Sequence, residues 1–358
     1  MTATKLVTSM WKSFSEIDIG SMREDAQLTP RLAVIGARDR TTLLEAALQH
    51  GPRTEGQTLT ALASYRLPLD PATLNNLAQY DLRILLLDNP SELTDEDVQA
   101  LTTQAVPLFV IIDRPGDDAI VVEPEVSTAD HVTVVSALLD DTKAVQKTLL
   151  PALANALPDG EVALARAYPG LRPTVVQQMI QRTSMTNAMY AAGTGVAEMV
   201  PGLGIPFAVA DIIILTKNQL VMAYKIGLSL GETGEFREVI PKMAGVVGAG
   251  FMWRQVAREL VAFLPLGVVL KTAIAYAGTY ATGQAVYQWY VTGEKLDRKE
   301  LRRIFNDALE RGKAEAAGIV ARARRQKQSQ LNEPPAKQRR RIRLPWKRGQ
   351  IEAPGTGV

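Results

Sequence analysis

Residues 31–44 read RLAVIGARDRTTLL, and this stretch decides the fold of the first half of the chain. It opens with Leu32-Ala33-Val34-Ile35, a short apolar run that stops at Gly36, which is the signal of a buried strand. The segment from Thr41 to Gln49 then carries apolar residues at helical spacing. A buried strand that turns directly into a helix is typical of the first unit of an α/β sheet domain.

Three more apolar runs follow, Leu82–Leu87, Leu108–Ile112 and Val132–Val135, with a helical pattern over Thr94–Thr103. Continuous apolar runs separated by helices predict a parallel sheet that is covered on both faces. Ligands of such sheets bind beyond the carboxyl ends of the strands. Here the residues at those ends are Gly36, Asp88, Asp113 and Ser136.

Composition excludes several kinds of chemistry. The chain of 358 residues has no cysteine and only two histidines, His50 and His131. Disulfides, thiolate nucleophiles and cysteine metal sites are therefore excluded, and any zinc site or histidine triad would need one of these two residues. The net charge of +2 hides an acidic stretch over 81–141 and a basic one over 298–348. No signal-peptide pattern opens the chain, so its start is expected in the cytosol.

The turn after the first strand partly matches a phosphate-binding P-loop. A P-loop needs Gly-x-x-x-x-Gly-Lys-Ser/Thr, so that backbone N–H groups wrap the phosphates while the lysine and the hydroxyl hold the terminal phosphates and magnesium. Gly36 and the hydroxyls of Thr41 and Thr42 are present. Arg40 stands where the lysine is expected, Asp39 replaces the second glycine, and the loop is one residue short. An aspartate facing a triphosphate repels it.

Over about residues 30–155 the order of features resembles the small GTPases of the Era-like group. The stretch 106–117 lies where such proteins carry a strand followed by Asn-Lys-x-Asp, with Asp113 and Arg114 replacing Asn and Lys. Ser136-Ala137 matches their last Ser-Ala element, whereas no Asp-x-x-Gly occurs between residues 58 and 80. The resemblance implies an α/β P-loop-GTPase-like parallel sheet domain. It implies a vestigial nucleotide site at Gly36, Arg40, Thr41, Thr42, Asp113, Arg114, Ser136 and Ala137.

Three damaged motifs favour a pseudo-GTPase over a working GTPase, because each loss removes binding or transition-state stabilisation. We therefore expect no catalytic residue, no metal site and no cofactor, with GTP and Mg²⁺ only if the alternative of an active GTPase holds. An intermediate alternative keeps Arg40, Thr41 and Thr42 as a site for another phosphate or anion at a helix N-terminus.

The segment from 187 to 296 is poor in charge and rich in small and apolar residues. Its Pro201-Gly202-Leu203-Gly204-Ile205-Pro206 and the stretch 263–283 resemble bacterial domain of unknown function 697, which often follows an Era-like domain. The resemblance implies an all-α, apolar, membrane-associated helical domain without a known activity. No run clearly reaches the roughly 20 uncharged apolar residues of a spanning helix. A tight soluble bundle is therefore the alternative, and the topology stays open.

Two features of this segment bear on contacts. Alanines four residues apart form a ridge that permits close helix packing, and an aromatic group at 287–290 is typical of a membrane interface. The ridge, which also suggests a homo-oligomer, consists of Ala273, Ala277, Ala281 and Ala285.

The tail is a dense basic cluster with one aromatic residue. It fits anionic membrane lipid, since each basic residue near a charged bilayer contributes about 1 kcal/mol. A merely solvated end explains it equally well, and nucleic acid is less favoured because the rest of the chain offers no basic groove. The expected lipid-facing residues are Arg339, Arg340, Arg341, Arg343, Trp346, Lys347 and Arg348.

These patterns predict a non-catalytic, membrane-associated interaction protein at the cytoplasmic face of a bacterial membrane, with an unknown protein partner. The alternatives are an active membrane-coupled GTP-binding protein and a transport or ion pathway through the apolar helices. The predicted organisation is an amphipathic N-terminal segment (1–29), a degenerate GTPase-like domain (30–155), a helical connector (156–186), the apolar helical domain (187–296), an amphipathic helix (297–325) and a basic disordered tail (326–358).

Overall fold

A computed structural model describes most of the chain. The described residues are 18–53, 60–88, 93–103, 106–114, 131–198, 204–236, 238–239 and 268–332. Residues 1–17 of the predicted amphipathic N-terminal segment, residues 201–203 of the quoted proline-glycine motif, and residues 333–358 of the predicted basic tail lie outside these residues. The tail was predicted to be disordered from residue 326, and this is wrong for residues 326–332, which continue the last helix of the chain.

The first half of the chain alternates strands and helices, and the second half is helical. The elements are α1 (Ile19–Gln27), β1 (Leu32–Ile35), α2 (Arg38–Gln49), β2 (Ala63–Tyr65), α3 (Pro71–Leu77), β3 (Leu82–Leu87), α4 (Asp95–Thr103), β4 (Leu108–Ile112), β5 (Val132–Ser136), α5 (Thr142–Ala144), α6 (Leu150–Asn155), α7 (Glu161–Ala167), α8 (Arg172–Glu198), α9 (Gly204–Ser229), α10 (Val268–Thr292) and α11 (Arg298–Asn332). A π-helical turn, Val145–Leu149, joins α5 to α6.

The five strands form one parallel sheet in the order β2-β1-β3-β4-β5. This confirms the predicted parallel α/β sheet, and the three central strands are buried along their whole length. Strand β2 was not predicted. It has only three residues, with Ser64 exposed and its neighbours half-buried, so no apolar run marks it in the sequence.

The two faces of the sheet pack against different cores. Alternate residues of a strand point to opposite faces, so Val34 and Ile84 enter one core and Ile35 and Leu85 the other. The first core is the larger and continues into the helical half, where it includes Ile180. The sheet and the helices are therefore held together by shared apolar burial, the main driving force of folding.

Prolines mark where the helical half begins its turns. Pro151, Pro158 and Pro169 each occupy the first turn of a helical segment, and Pro173 is the second residue of α8. Proline fits there because the first N–H groups of a helix have no intrahelical partner. Four helical segments between residues 150 and 198 therefore have a proline as their first or second residue.

Helix α8 extends without a break through the boundary predicted between a connector and an apolar domain at residues 186 and 187. It packs against α9, α10 and α11. The change in charge density near residue 187 thus coincides with no linker in the chain.

The alanine ridge of α10 is buried inside the chain. Ala273, Ala277 and Ala281 are fully buried and Ala285 almost so. Close packing is also visible at Gly312 on α11, where an added Cβ would lie 3.1 Å from the backbone oxygen of Ala273. The ridge therefore brings helices of one chain together, as small residues do in tight bundles. Among the described helices, none combines the length and the hydropathy that a membrane crossing requires.

Arg172, the first residue of α8, ties the two halves together. Its side chain is fully buried and donates to the backbone oxygens of Pro52, Ala165 and Arg166. Burial lowers the pKa of its guanidinium to about 10, which leaves the side chain charged at neutral pH. A buried charge is tolerated when every donor finds a partner, so this contact is a structural link between the segment after α2 and the helices.

Candidate functional site

The order in which the chain adds strands to the sheet reverses between β1 and β3. The chain passes from β1 to β2 on one side, then crosses back to β3 on the other side of β1 and continues to β4 and β5. In open α/β sheets such a switch point leaves a crevice beyond the carboxyl ends of the two strands, and ligands bind there. The candidate site is this edge, where the chain leaves β1, β3, β4 and β5.

Gly36 is required at this edge by a close approach. A Cβ at Gly36 would lie 2.8 Å from the Cβ of Leu86 and 2.9 Å from the oxygen of that residue, on the neighbouring strand. The N–H of Gly36 donates to the oxygen of Tyr65 at 3.0 Å, which extends the pairing towards β2. The glycine thus serves the packing of the sheet, where a P-loop glycine would instead let the backbone approach a phosphate.

The two threonine hydroxyls are turned back onto their own helix. Thr41 Oγ1 donates to the oxygen of Ala37 at 2.9 Å, and Thr42 Oγ1 donates to the oxygen of Arg38 at 2.8 Å. Thr41 is buried and Thr42 is exposed. Both hydroxyls therefore make the bonds that serine and threonine commonly form inside helices, so both hydrogens are used by the backbone at the start of α2.

Arg40 crosses the crevice and pairs with two carboxylates from neighbouring strand ends. Its Nε lies 3.0 Å from Asp88 Oδ1, and its Nη1 forms an ion pair with Asp113 Oδ2. The Asp113 side chain is 2% exposed and that of Arg40 is 30% exposed. A weaker contact of 3.8 Å joins Arg40 to Asp39. The positive charge expected to meet a phosphate is thus already neutralised by the protein's own acids.

Asp113 holds the last part of the site in place. Its Oδ1 accepts from the N–H of Leu139 at 2.8 Å, while its other oxygen pairs with Arg40. Ser136 Oγ donates to the oxygen of Arg114 at 3.2 Å, and the N–H of Ala137 donates to the oxygen of Ile112 at 3.1 Å. These bonds fasten the segment after β5 to the end of β4.

The structure brings all eight predicted residues of the nucleotide site to this one edge, on the ends of β1, β4 and β5 and the start of α2. Asp88 is a functional residue that the predicted nucleotide site does not include, since the sequence indicates only that it follows a strand. Its signal is its place directly after the apolar run of β3, beside the strand that ends at Asp113. The seven basic and aromatic residues predicted to face lipid lie outside the described residues.

The charges around Arg40 disfavour an anion at this point of the edge. One guanidinium faces two carboxylates, so the three paired side chains carry one net negative charge, which opposes binding of a phosphate. In the part of the chain that the structure describes, no three histidine, aspartate or glutamate side chains cluster closely enough to hold a metal ion.

Comparison with family models, with curated proteins and with solved structures found no match to this chain. The resemblance to Era-like GTPases and to domain of unknown function 697 therefore stays a prediction made from the quoted residues.

Proposed function

We propose that the chain is a non-catalytic interaction protein built on a GTPase-like sheet, in which Arg40 occupies the crevice that a nucleotide would use. The observation that carries the proposal is the pairing of Arg40 with both Asp88 and Asp113. The strand order β2-β1-β3-β4-β5 supports a nucleotide-binding ancestry, because its switch point lies at the same turn that carries the altered P-loop motif.

Binding a triphosphate would require Arg40 to leave its two partners. Asp113 would then remain buried without a cation, and an unpaired buried charge destabilises a protein by several kcal/mol. The start of α2 offers a phosphate few hydrogen-bond donors to offset this cost, since the hydroxyls of Thr41 and Thr42 already donate to backbone oxygens. These contacts favour a sheet that keeps its architecture for contacts with another protein over one that binds and hydrolyses GTP.

We extend the proposal to attachment at the cytoplasmic face of a bacterial membrane through the basic tail. The support is the sequence of residues 337–348, where seven arginines and lysines accompany Trp346. Seven charges near an anionic bilayer would contribute on the order of 1 kcal/mol each. Such peripheral binding needs no spanning helix.

The nucleotide part is tested by titrating the full chain with GTP and Mg²⁺ in a calorimeter. We expect no saturable heat for the wild-type chain or for Arg40→Lys, the variant that restores the lysine of the motif. Arg302→Lys, an exposed change on α11, is the matched control for an arginine-to-lysine substitution. Micromolar binding by the wild-type chain that is lost in Arg40→Ala would refute the proposal and establish the GTP-binding alternative.

The membrane part is tested by flotation with lipid vesicles. We expect the full chain to float with vesicles that contain phosphatidylglycerol and to remain below with vesicles of phosphatidylcholine alone. A chain that ends at residue 332 should float with neither, and added salt should release the full chain because the attraction is electrostatic. Equal flotation of the shortened chain would show that the tail is not the attachment.

A further inference from the structure

A polar groove is lined by residues of α8, α10 and α11 and by Leu296 of the loop 293–297. Its volume is about 420 Å³, within the range of small-molecule sites. Four of the side chains that line it and carry the argument are Gln177, Tyr280, Gln284 and Arg311. The groove lies among helices, away from the sheet edge that holds Arg40.

The floor of the groove is a chain of hydrogen bonds. Gln284 Nε2 donates to Gln177 Oε1 at 2.6 Å, and Gln177 Nε2 donates to the hydroxyl oxygen of Tyr280 at 2.8 Å. Arg311 Nη1 also points at that oxygen, at a longer 3.5 Å. Two donors thus approach the Tyr280 oxygen, and no described residue accepts the hydrogen of this hydroxyl. The oxygen of the Gln284 amide likewise receives no donor from them.

Arg311 carries a charge that the described part of the chain does not neutralise. Its guanidinium carbon lies 4.5 Å from the centre of the Tyr280 ring, and its Nε donates to the oxygen of Asp307 at 3.3 Å. No described carboxylate forms an ion pair with it. The two nearby acids, Glu300 and Asp307, instead pair with Arg303, at 2.6 Å and 3.4 Å.

We propose that this groove binds a small organic carboxylate that carries hydroxyl groups. The planar guanidinium of Arg311 matches a carboxylate in geometry and charge, and the Tyr280 hydroxyl supplies a further donor beside it. The free oxygen of Gln284 accepts from a hydroxyl of the ligand. Glu300 and Asp307 at the rim disfavour a doubly charged phosphate, which selects a ligand with one negative charge.

The test uses three probes that separate the two halves of the recognition. D-Gluconate has one carboxylate and several hydroxyls, D-sorbitol has the hydroxyls alone, and propionate has the carboxylate alone. We expect gluconate to bind the full chain with a millimolar Kd in calorimetry, and the other two to bind at least about tenfold more weakly, since each lacks one set of contacts. Inorganic phosphate should not compete with gluconate.

Variants locate the binding. Arg311→Gln should weaken gluconate binding about tenfold or more, because it removes a charged hydrogen-bond partner, and Gln284→Leu should reduce the preference for gluconate over propionate. Arg302→Gln, exposed on the same helix and outside the groove, is the matched control and should bind as the wild type does. Circular dichroism checks that each variant is folded. Arg311 is exposed and Gln284 is half-buried, so neither substitution should disturb the fully buried core.

The proposal would be overturned by the absence of saturable gluconate binding at millimolar concentrations, by equal binding of sorbitol, or by unchanged binding by Arg311→Gln. Phosphate that displaces gluconate would also overturn it, because the groove would then be a general anion site.

Discussion

The sheet edge and the helical groove each contain an arginine among polar side chains, but the two arginines have different partners. At the sheet edge, Arg40 lies between two carboxylates, which neutralise its charge. In the groove, the acids pair with Arg303, and the described residues leave Arg311 with only a tyrosine ring, a hydroxyl and a backbone oxygen. In this chain the proposed ligand site is therefore distinguished by the polar groups that the described residues leave unpaired, and less by its place in the fold.

A third arginine gives the largest effect that we expect. Arg172 is fully buried and donates to three backbone oxygens, one in the segment after α2 and two in α7. Replacing it by leucine leaves those oxygens without donors, so Arg172→Leu should lower the free energy of unfolding by about 3–5 kcal/mol. Urea denaturation followed by circular dichroism measures this.

The control is Arg182→Leu on the same helix. Arg182 is half-exposed and pairs with the mostly buried Glu161. Because water screens the arginine, we expect this pair to contribute about 1 kcal/mol. If both variants lose the same stability, Arg172 does not link the sheet to the helices in the way described.

The next prediction compares Arg40 with Arg311 directly. Arg40→Ala leaves Asp113 buried without its cation, so we expect a loss of about 2 kcal/mol, moderated by the partial exposure of Arg40 and Asp88. Arg311→Ala should change the free energy of unfolding by less than about 0.5 kcal/mol, because its charge has no described acidic partner. Urea denaturation of the two variants gives both values.

A double substitution sharpens this result. In Arg40→Ala/Asp113→Asn the acid is neutral and its Oδ1 can still accept from the N–H of Leu139. The double variant should therefore lose less stability than the sum of the two single variants, as expected for groups in contact. Strict additivity would mean that the two side chains do not interact in solution.

The sequence predicts the central sheet well because burial on both faces leaves a continuous apolar run in β1, β3 and β4. It does not reveal β2, because an exposed serine between two half-buried residues has no apolar run and resembles a loop. The boundary suggested near residue 187 reflects a change in charge, whereas α8 is one helix across it, since hydrogen bonding along a helix does not depend on side-chain charge.

The same limits apply to the two sites. The turn after β1 and the acid at the end of β4 were predicted from motif order, but their pairing was not, because it depends on neighbouring strands that bring Asp88 and Asp113 within reach of Arg40. The groove left even less trace in the sequence. Gln177 and Gln284 are ordinary helix residues until α8, α10 and α11 come together around Tyr280.

The smallest effect that we expect concerns a tyrosine pair beside the sheet edge. Tyr65 at the end of β2 shares a hydrogen bond of 2.8 Å with the hydroxyl of Tyr80, and this bond, with some burial, raises the pKa of Tyr65 from 10.0 to about 12. A raised pKa means that the folded state holds the proton more tightly. The contribution to stability is therefore complete below pH 10 and is lost as the pH rises to about 12.

Tyr80→Phe removes the shared hydrogen bond, so the pKa of Tyr65 should return towards its ordinary value. Ultraviolet absorbance of the phenolate measures the titration, and urea denaturation at two alkaline pH values measures the accompanying change in stability. In the variant, stability should depend less on pH in this interval, because the pKa of Tyr65 differs less between the folded and unfolded states. An unchanged titration would show that burial alone sets the pKa of Tyr65. The Tyr65–Tyr80 hydrogen bond would then not be one of the contacts that distinguish the sheet edge from the open groove.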